Sequence, residues 1–216
     1  MEIKDARDGY LKLAKEVSRE RTKSASQLGK EVTQEMQKLG MPGGRFEVTL
    51  TPLPREELSA AGLERIEYQV SANPGQPVKP LTKVASGGEL SRISLALQVI
   101  TSRVGRVPTL IFDEVDVGIG GGVAEIVGAQ LRTLADARQV LCITHLAQVA
   151  AQGHHHLQVT KETAANTTVT HIGPLSAKER VQEIARMLGG VEITRQTLDL
   201  AAEMLSRIGE NADVPA

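Results

Sequence analysis

The sequence predicts an α/β fold, with strands and helices alternating around a mostly parallel sheet behind one long leading helix. Three observations predict it. Two short apolar runs, at 108–113 and 139–144, are each followed by a helical pattern, which is the signature of parallel strands joined by crossover helices. Residues 2–39 contain no Pro and only two Gly, and their apolar residues fall at helical spacing. Between these regions a Ser-Gly-Gly-Glu sequence at 86–89 opens a further apolar-periodic helix.

In the leading segment Ile3, Ala6, Tyr10, Leu13 and Val17 alternate steps of three and four, a heptad seam. The seam lapses across 19–24 and resumes loosely at Ala25, Leu28, Val32, Met36 and Leu39. Two readings stand side by side: an amphipathic helix lying on the domain, or one strand of a coiled coil whose partner lies elsewhere. Gly40-Met41-Pro42-Gly43-Gly44 ends the helix. Residues 45–52 and 64–72 alternate like strands. Residues 73–84, with three Pro, are expected to form an extended loop. A helix over 86–104 leads to a buried strand at 108–113, then a helix over 121–135 and a second buried strand at 139–144. A short helix at 146–151 precedes a hairpin of 157–163 with 167–172. Helices at 178–188 and 193–208 close the chain, and 211–216 is assigned to a disordered tail.

Composition bounds the function. With 41% hydrophobic residues the 216-residue chain has enough apolar material for a real core. A net charge of −1 excludes a global basic field for nucleic acid, so any DNA contact must be local or lie outside this chain. No Trp, two Phe and two Tyr argue against an aromatic stacking platform for bases. Cys142 is the single cysteine, so no internal disulfide forms, which suits a reducing, cytoplasmic compartment. No apolar run is long enough to span a membrane, and the first residues do not form a signal peptide.

Two motifs carry chemistry. Ser86 and Glu89 have capping-box spacing, and a helix cap alone would explain them. A cap does not need two glycines, however. Gly87 and Gly88 let a bulky anion approach the helix N-terminus, where free N–H groups and the helix dipole favour negative charge. The run Leu110-Ile111-Phe112-Asp113-Glu114 ends in paired carboxylates at the C-terminal edge of a strand, the edge where ligands bind in open α/β sheets. Successive strand residues point to opposite sides, so the two carboxylates are expected to have different tasks. Asp113 suits Mg²⁺, held through water, and Glu114 suits an attacking water. The bland alternative is a strand that runs into an acidic loop. The second apolar strand ends at His145, which could bring an imidazole beside a terminal phosphate; a lone capping or core histidine is the alternative. His154-His155-His156 cannot converge on one ion as adjacent residues, and is expected to be a solvated loop. The phosphate loop G-x-x-x-x-G-K-[ST], Walker A, is absent from the 216 residues.

The order S-G-G-E-L-S, then an apolar run ending Asp-Glu, then an apolar strand ending in His resembles the C-terminal half of an ABC-type ATPase head. Asp113-Glu114-Val115-Asp116, with Val where transporter ATPases usually carry Pro, is similar to the chromosome-maintenance and repair branch, the SMC-like proteins. The stretches 85–98, 109–121, 142–156 and 183–190 carry the likeness, which covers roughly residues 40–210. The resemblance implies that residues 1–40 are the returning strand of a coiled-coil arm and 41–210 the C-terminal lobe of the head. It implies ATP and Mg²⁺ as ligands, with Asp113 on the metal and Glu114 and His145 as catalytic residues. Ser86, Gly87, Gly88 and Glu89 would be the signature motif, acting in trans on nucleotide held by a second head. Val115, Asp116, Val117, Gly118, Ile119 and Gly120 occupy the D-loop position, with Gly120 where many members carry Asp. Expected partners are the N-terminal half carrying Walker A, an identical second head in an ATP-dependent homodimer, and DNA, with no membrane partner. The implied setting is nucleoid-associated double-strand-break repair and recombination, with this chain inactive alone. A transporter nucleotide-binding domain and a non-hydrolysing ATP-gated tether are the competing readings.

Overall fold

The computed structural model describes residues 2–54, 59–84, 86–102, 107–164, 167–189 and 192–212. They form two compact units, Met1–Val104 and Gly105–Ala216.

The first unit is built on α1 (Glu2–Lys38), β1 (Arg45–Pro52), β2 (Glu64–Ser71), β3 (Lys79–Pro80), a 3-10 turn at Leu81–Lys83 and α2 (Gly87–Ile100). Strands β1, β2 and β3 make one antiparallel sheet. The Pro-rich loop expected at 73–84 thus contributes a two-residue edge strand, paired as Gln69↔Pro80 and Val70↔Lys79. Gly40 has φ 79°, and the Met41 N–H reaches the Met36 carbonyl at 3.1 Å. That six-to-one bond is a Schellman ending, and it turns the chain from α1 into β1. Thr33 fixes the entry: its Oγ1 accepts the Phe46 N–H at 2.9 Å, so α1 and β1 are tied at the point where they cross. Val32, Met36, Leu39, Phe46, Ile93 and Leu95 are fully or almost fully buried and supply the core.

Helix α1 lies on the domain over much of its length, as the first of the two sequence readings expects. From Tyr10 onward it lies on the hairpin. Tyr10 donates to the Ser59 carbonyl at 3.0 Å, Arg21 donates to the Ala61 carbonyl at 2.6 Å, and Ser18 bonds Glu64. Ile3, before that point, is 87% exposed and Leu13 of the same seam is 63% exposed, so packing among the described residues does not account for these two apolar positions.

In the second unit, β4 (Thr109–Phe112) and β5 (Gln139–Cys142) pair in parallel, with Phe112 opposite Cys142. Helix α3 (Gly121–Ala135) joins them. Helix α4 (Ala147–Gln152) follows β5, then the hairpin β6 (Leu157–Ala164) with β7 (Thr167–Pro174), then α5 (Ala177–Gly189) and α6 (Arg195–Ala212). Asn211 and Ala212, the first residues assigned from sequence to the tail, lie within α6, and 213–216 fall outside the described residues. Ala147, Ala150 and Ala151 of α4 pack with Ile184 and Ala185 of α5 and Ala201 of α6. Gly128 lets α3 approach α4, because a Cβ there would stand 2.7 Å from Gln152 Cγ. The last carbonyls of α4 are capped by arginines. Arg132 donates to the Gln152 carbonyl and Arg180 to the Ala151 carbonyl, both at 2.7 Å.

One sequence expectation is corrected. The strands at 108–113 and 139–144 were expected to be buried on both faces. Only one face is covered: Phe112 is buried, whereas Ile111 is 68%, Leu141 42% and Ile143 60% exposed. An uninterrupted apolar run is compatible with burial on both faces but does not record what covers each of them.

Truncating a packed side chain of α1 should therefore differ sharply from truncating an uncovered one. Met36→Ala is expected to lower stability by about 2–4 kcal/mol, and Ile3→Ala by less than about 0.5 kcal/mol, in denaturant titrations of the chain.

Candidate functional site

The residues singled out from sequence fall into two groups, one in each compact unit. The first is the N-terminus of α2. Ser86 caps it with extended backbone, φ −91° and ψ 121°, and its Oγ accepts the Glu89 N–H at 3.3 Å. This is the first half of the expected capping box. Its hydroxyl hydrogen remains to be donated, and the first-turn N–H groups of a helix have no intrahelical partner. Gly87 and Gly88 are not among the positive-φ glycines, so their use is the absence of a side chain rather than backbone freedom. Gly88 is buried and Gly87 exposed. One residue passed over in the sequence completes this end. Arg92, 6% exposed, lines a cavity with Glu89, the Gly40–Gly43 turn and Ala72–Pro74. Burial pulls its guanidinium below its ordinary range, opposed by the Glu89 charge. Its helical offset from Glu89 was the available signal, but only packing shows that the charge points inward.

The second group lies where β4 and β5 end together. The Ile143 N–H reaches the Phe112 carbonyl at 2.9 Å, so pairing continues to the last residue before the carboxylates. The strand then stops at Phe112, and the expected alternation of Asp113 and Glu114 across the sheet is corrected: Asp113 follows the strand directly and Glu114 opens a turn. Glu114 has φ 59°, the only non-glycine residue with positive φ among those described. Its N–H donates to Asp113 Oδ1 at 2.9 Å, and its carbonyl accepts the Val117 N–H at 3.2 Å. The left-handed conformation costs a residue with a Cβ about 1–2 kcal/mol. Such strain concentrates at sites where a side chain must be aimed. Both carboxylates are exposed.

Beyond the turn, Val115 and Asp116 are buried, at 0% and 2% exposure, while Val117, Gly118 and Gly120 are exposed and Ile119 is intermediate. Of the residues in the D-loop position, 117–120 therefore present the outward surface. Asp116 Oδ2 accepts bonds from Thr144 Oγ1 and, at 3.1 Å, from the His145 N–H. His145 Nδ1 lies 3.3 Å from the same oxygen, and the His145 side chain is 70% exposed. The structure thus brings Asp113, Glu114, Asp116 and His145 to one edge of the two-stranded sheet. The link through Asp116 joins residues 29 apart and has no sequence signal.

Cys142 lies behind this edge. Burial, with the charges of Asp116 and Asp113, pushes its thiol up to about 12. Among the described residues no group of three or more His, Cys, Asp or Glu side chains could hold a metal ion. Asp113 and Glu114 offer hard oxygen ligands of the kind Mg²⁺ takes, one or two carboxylates with the remaining positions left to water and substrate phosphates. No described helix is long and apolar enough to cross a membrane.

No family model matches the chain. It is 45% identical over 208 residues, 96% of its length, to the DNA repair protein RecN of Xylella fastidiosa. It is 50% identical over 188 residues, 87% of its length, to the DNA repair protein RecN of Haemophilus influenzae. Those matches cover 37% and 34% of the relatives, so the chain spans about a third of the length of the curated relatives it matches. Among solved structures it resembles the Smc head domain with a coiled coil and joint from Pyrococcus yayanosii. The TM-score is 0.55 at 21% identity, over 85% of this chain and 34% of that one. The fold is thus of the SMC head type.

Two outcomes follow from the turn and the strand beneath it. The Cys142 thiol is raised in the folded state, so the folded chain holds a proton that the unfolded chain releases above its ordinary thiol range. Stability should fall as pH rises from about 9 towards 12, and Cys142→Ala should flatten that part of the profile in thermal melts. At residue 114, Glu114→Gly is expected to be more stable than Glu114→Ala by about 1 kcal/mol in denaturant titrations, because only glycine adopts this conformation without strain.

Proposed function

We propose, from the chain's place among RecN-like proteins of the SMC head type, that it supplies the C-terminal lobe of an ATPase head acting in DNA double-strand-break repair. The observation that supports this most is the edge where β4 and β5 end. Two exposed carboxylates and an exposed imidazole converge there, beside a sheet face left uncovered at Ile111, Leu141 and Ile143. The chain carries no Walker A sequence. Its natural complement is a segment that brings the phosphate loop and an apolar surface for that face.

In this reading the first part of α1 is the base of a coiled-coil arm, and residues 41–210 belong to the lobe. Asp113 holds Mg²⁺ through water, and the ion neutralises charge on the nucleotide phosphates when bound. Glu114, aimed by its left-handed turn, orients the attacking water and accepts its proton. His145 projects its ring to the terminal phosphate. Ser86, with the N–H groups of the α2 N-terminus, binds the terminal phosphate of a nucleotide held on a second, identical head. ATP then joins the heads because both touch it, and loss of the terminal phosphate releases them, gating how the arms hold DNA. Val117–Gly120 face outward at that junction.

The test is to mix the chain with the Walker A segment of the same protein and measure association and ATP turnover. Association that Ile111→Lys weakens at least roughly tenfold is expected, since a buried charge costs several kcal/mol. Turnover should fall roughly 100-fold or more in Glu114→Gln, within the range for loss of a general base. Ser86→Arg should abolish it by blocking the second head. Turnover untouched by Glu114→Gln would remove Glu114 as the base. If association persists without turnover, the tether reading is favoured; failure to associate would overturn the proposal.

A further inference from the structure

We propose that Asp116 is a positioning residue that holds His145, and with it the end of β5 and the start of α4, in register with the turn carrying Glu114. The inference rests on the function proposed above for its catalytic consequence, but not for its geometry. Asp116 is 2% exposed, yet it is a carboxylate, and a buried charge is tolerated only where hydrogen bonds replace water. Here they converge on one oxygen. Asp116 Oδ2 accepts from the Thr144 hydroxyl and from the His145 N–H at 3.1 Å, and stands 3.3 Å from His145 Nδ1. Thr144 relays the contact, because its Oγ1 accepts the Leu146 N–H at 3.0 Å, one residue before α4.

The other end of the link is equally fixed. Asp116 lies two residues after Glu114, inside the turn closed by the Val117 N–H to the Glu114 carbonyl at 3.2 Å. One carboxylate therefore ties the backbone that aims Glu114 to the backbone and ring of His145. Nδ1 is the His145 ring nitrogen near the carboxylate, at 3.3 Å, which leaves Nε2 on the other side of the ring. The bond to the His145 N–H fixes the backbone from which the imidazole projects above the sheet edge, and the carboxylate beside Nδ1 lies on one side of the ring. Charge-assisted bonds of this kind are about twice as strong as neutral ones, so Asn, which keeps an acceptor oxygen but no charge, should retain part of the effect.

Two measurements test this. In the chain alone, amide hydrogen exchange at His145 should speed up at least roughly tenfold in Asp116→Ala and less in Asp116→Asn, as expected for loss of a charge-assisted bond. In the assembly with the Walker A segment, Asp116→Ala should lower kcat roughly 10- to 100-fold with KM for ATP changed less than about 2-fold, the scale for a displaced catalytic group. Because Asp116 acts through His145, the double variant with His145→Ala should be no slower than the slower single variant. Should Asp116→Ala fold too poorly to measure, Asp116→Asn carries both tests. Unchanged exchange at His145 overturns the geometry. Rate losses that multiply in the double variant overturn the link to His145. If the wild-type assembly does not turn over, the proposed function has failed, and exchange alone decides the role of Asp116.

Discussion

The chemistry of the second unit depends on one interaction, the parallel pairing of β4 with β5 in the register that sets Phe112 opposite Cys142. The strands have four residues each, and a two-stranded sheet of that size is not stable by itself. It persists because α3 packs against β5, α4 against α3, and the arginine caps fix the end of α4. With the register set, the chain leaves β4 at Asp113 and Glu114 on the same level at which it leaves β5 at Thr144 and His145. A slip of β5 by one residue would reverse its side chains between the two faces and turn Leu141 and Ile143 to the side that Phe112 occupies. The covered face is therefore what holds the carboxylates beside the imidazole.

Two unfavourable features lie within three residues of that edge. Glu114 holds a left-handed backbone, and Asp116 buries a carboxylate. Neither is needed to end a strand, since a glycine and a neutral residue would do so at lower cost. Together they make sense as a means of placement. The strained turn directs Glu114 outward and Asp116 inward, so the same reversal that exposes one carboxylate buries the next. The strain at Glu114 and the bonds made by Asp116 thus belong to one turn, and relaxing it would move both catalytic candidates at once.

Much of the fold was legible because its signals are local. The bounds of the strand at 45–52 and of the helix at 121–135 match the structure, and Ser86 caps α2 as its spacing to Glu89 predicts. Burial was not legible for β4 and β5, because an apolar run does not record which polypeptide covers each face. The turn at Glu114 was hidden because positive φ is signalled by glycine, and none stands there. Arg92 was not singled out, because its burial depends on the turn at Gly40–Gly43 and on Ala72–Pro74, which are distant from it in sequence. The contact of Asp116 with His145 depends on strand register, which the sequence specifies only through the whole sheet. The D-loop residues show the same divide: their position was evident, but not the inward turn of Val115 and Asp116.

The two groups of site residues differ in sign, and that difference bears on how the proposed head works. The α2 end offers donors, a hydroxyl and helix N-terminal N–H groups, while the β4–β5 edge offers acceptors in Asp113 and Glu114. Donors suit phosphate oxygens; carboxylates suit a hydrated cation and a water. Each group is also ordered within its own unit: Ser86 by its cap on α2, the carboxylates by their turn and strand pair. A nucleotide with its metal does not have to create either half, only to be touched by both. Under the proposed function, its binding free energy then favours the joined heads over the separate ones, because the ordering cost has been met in folding each unit. Removing the terminal phosphate takes away what the donors hold while the carboxylates keep their place. The heads can therefore part without unfolding either half, and the same surfaces are ready for the next nucleotide.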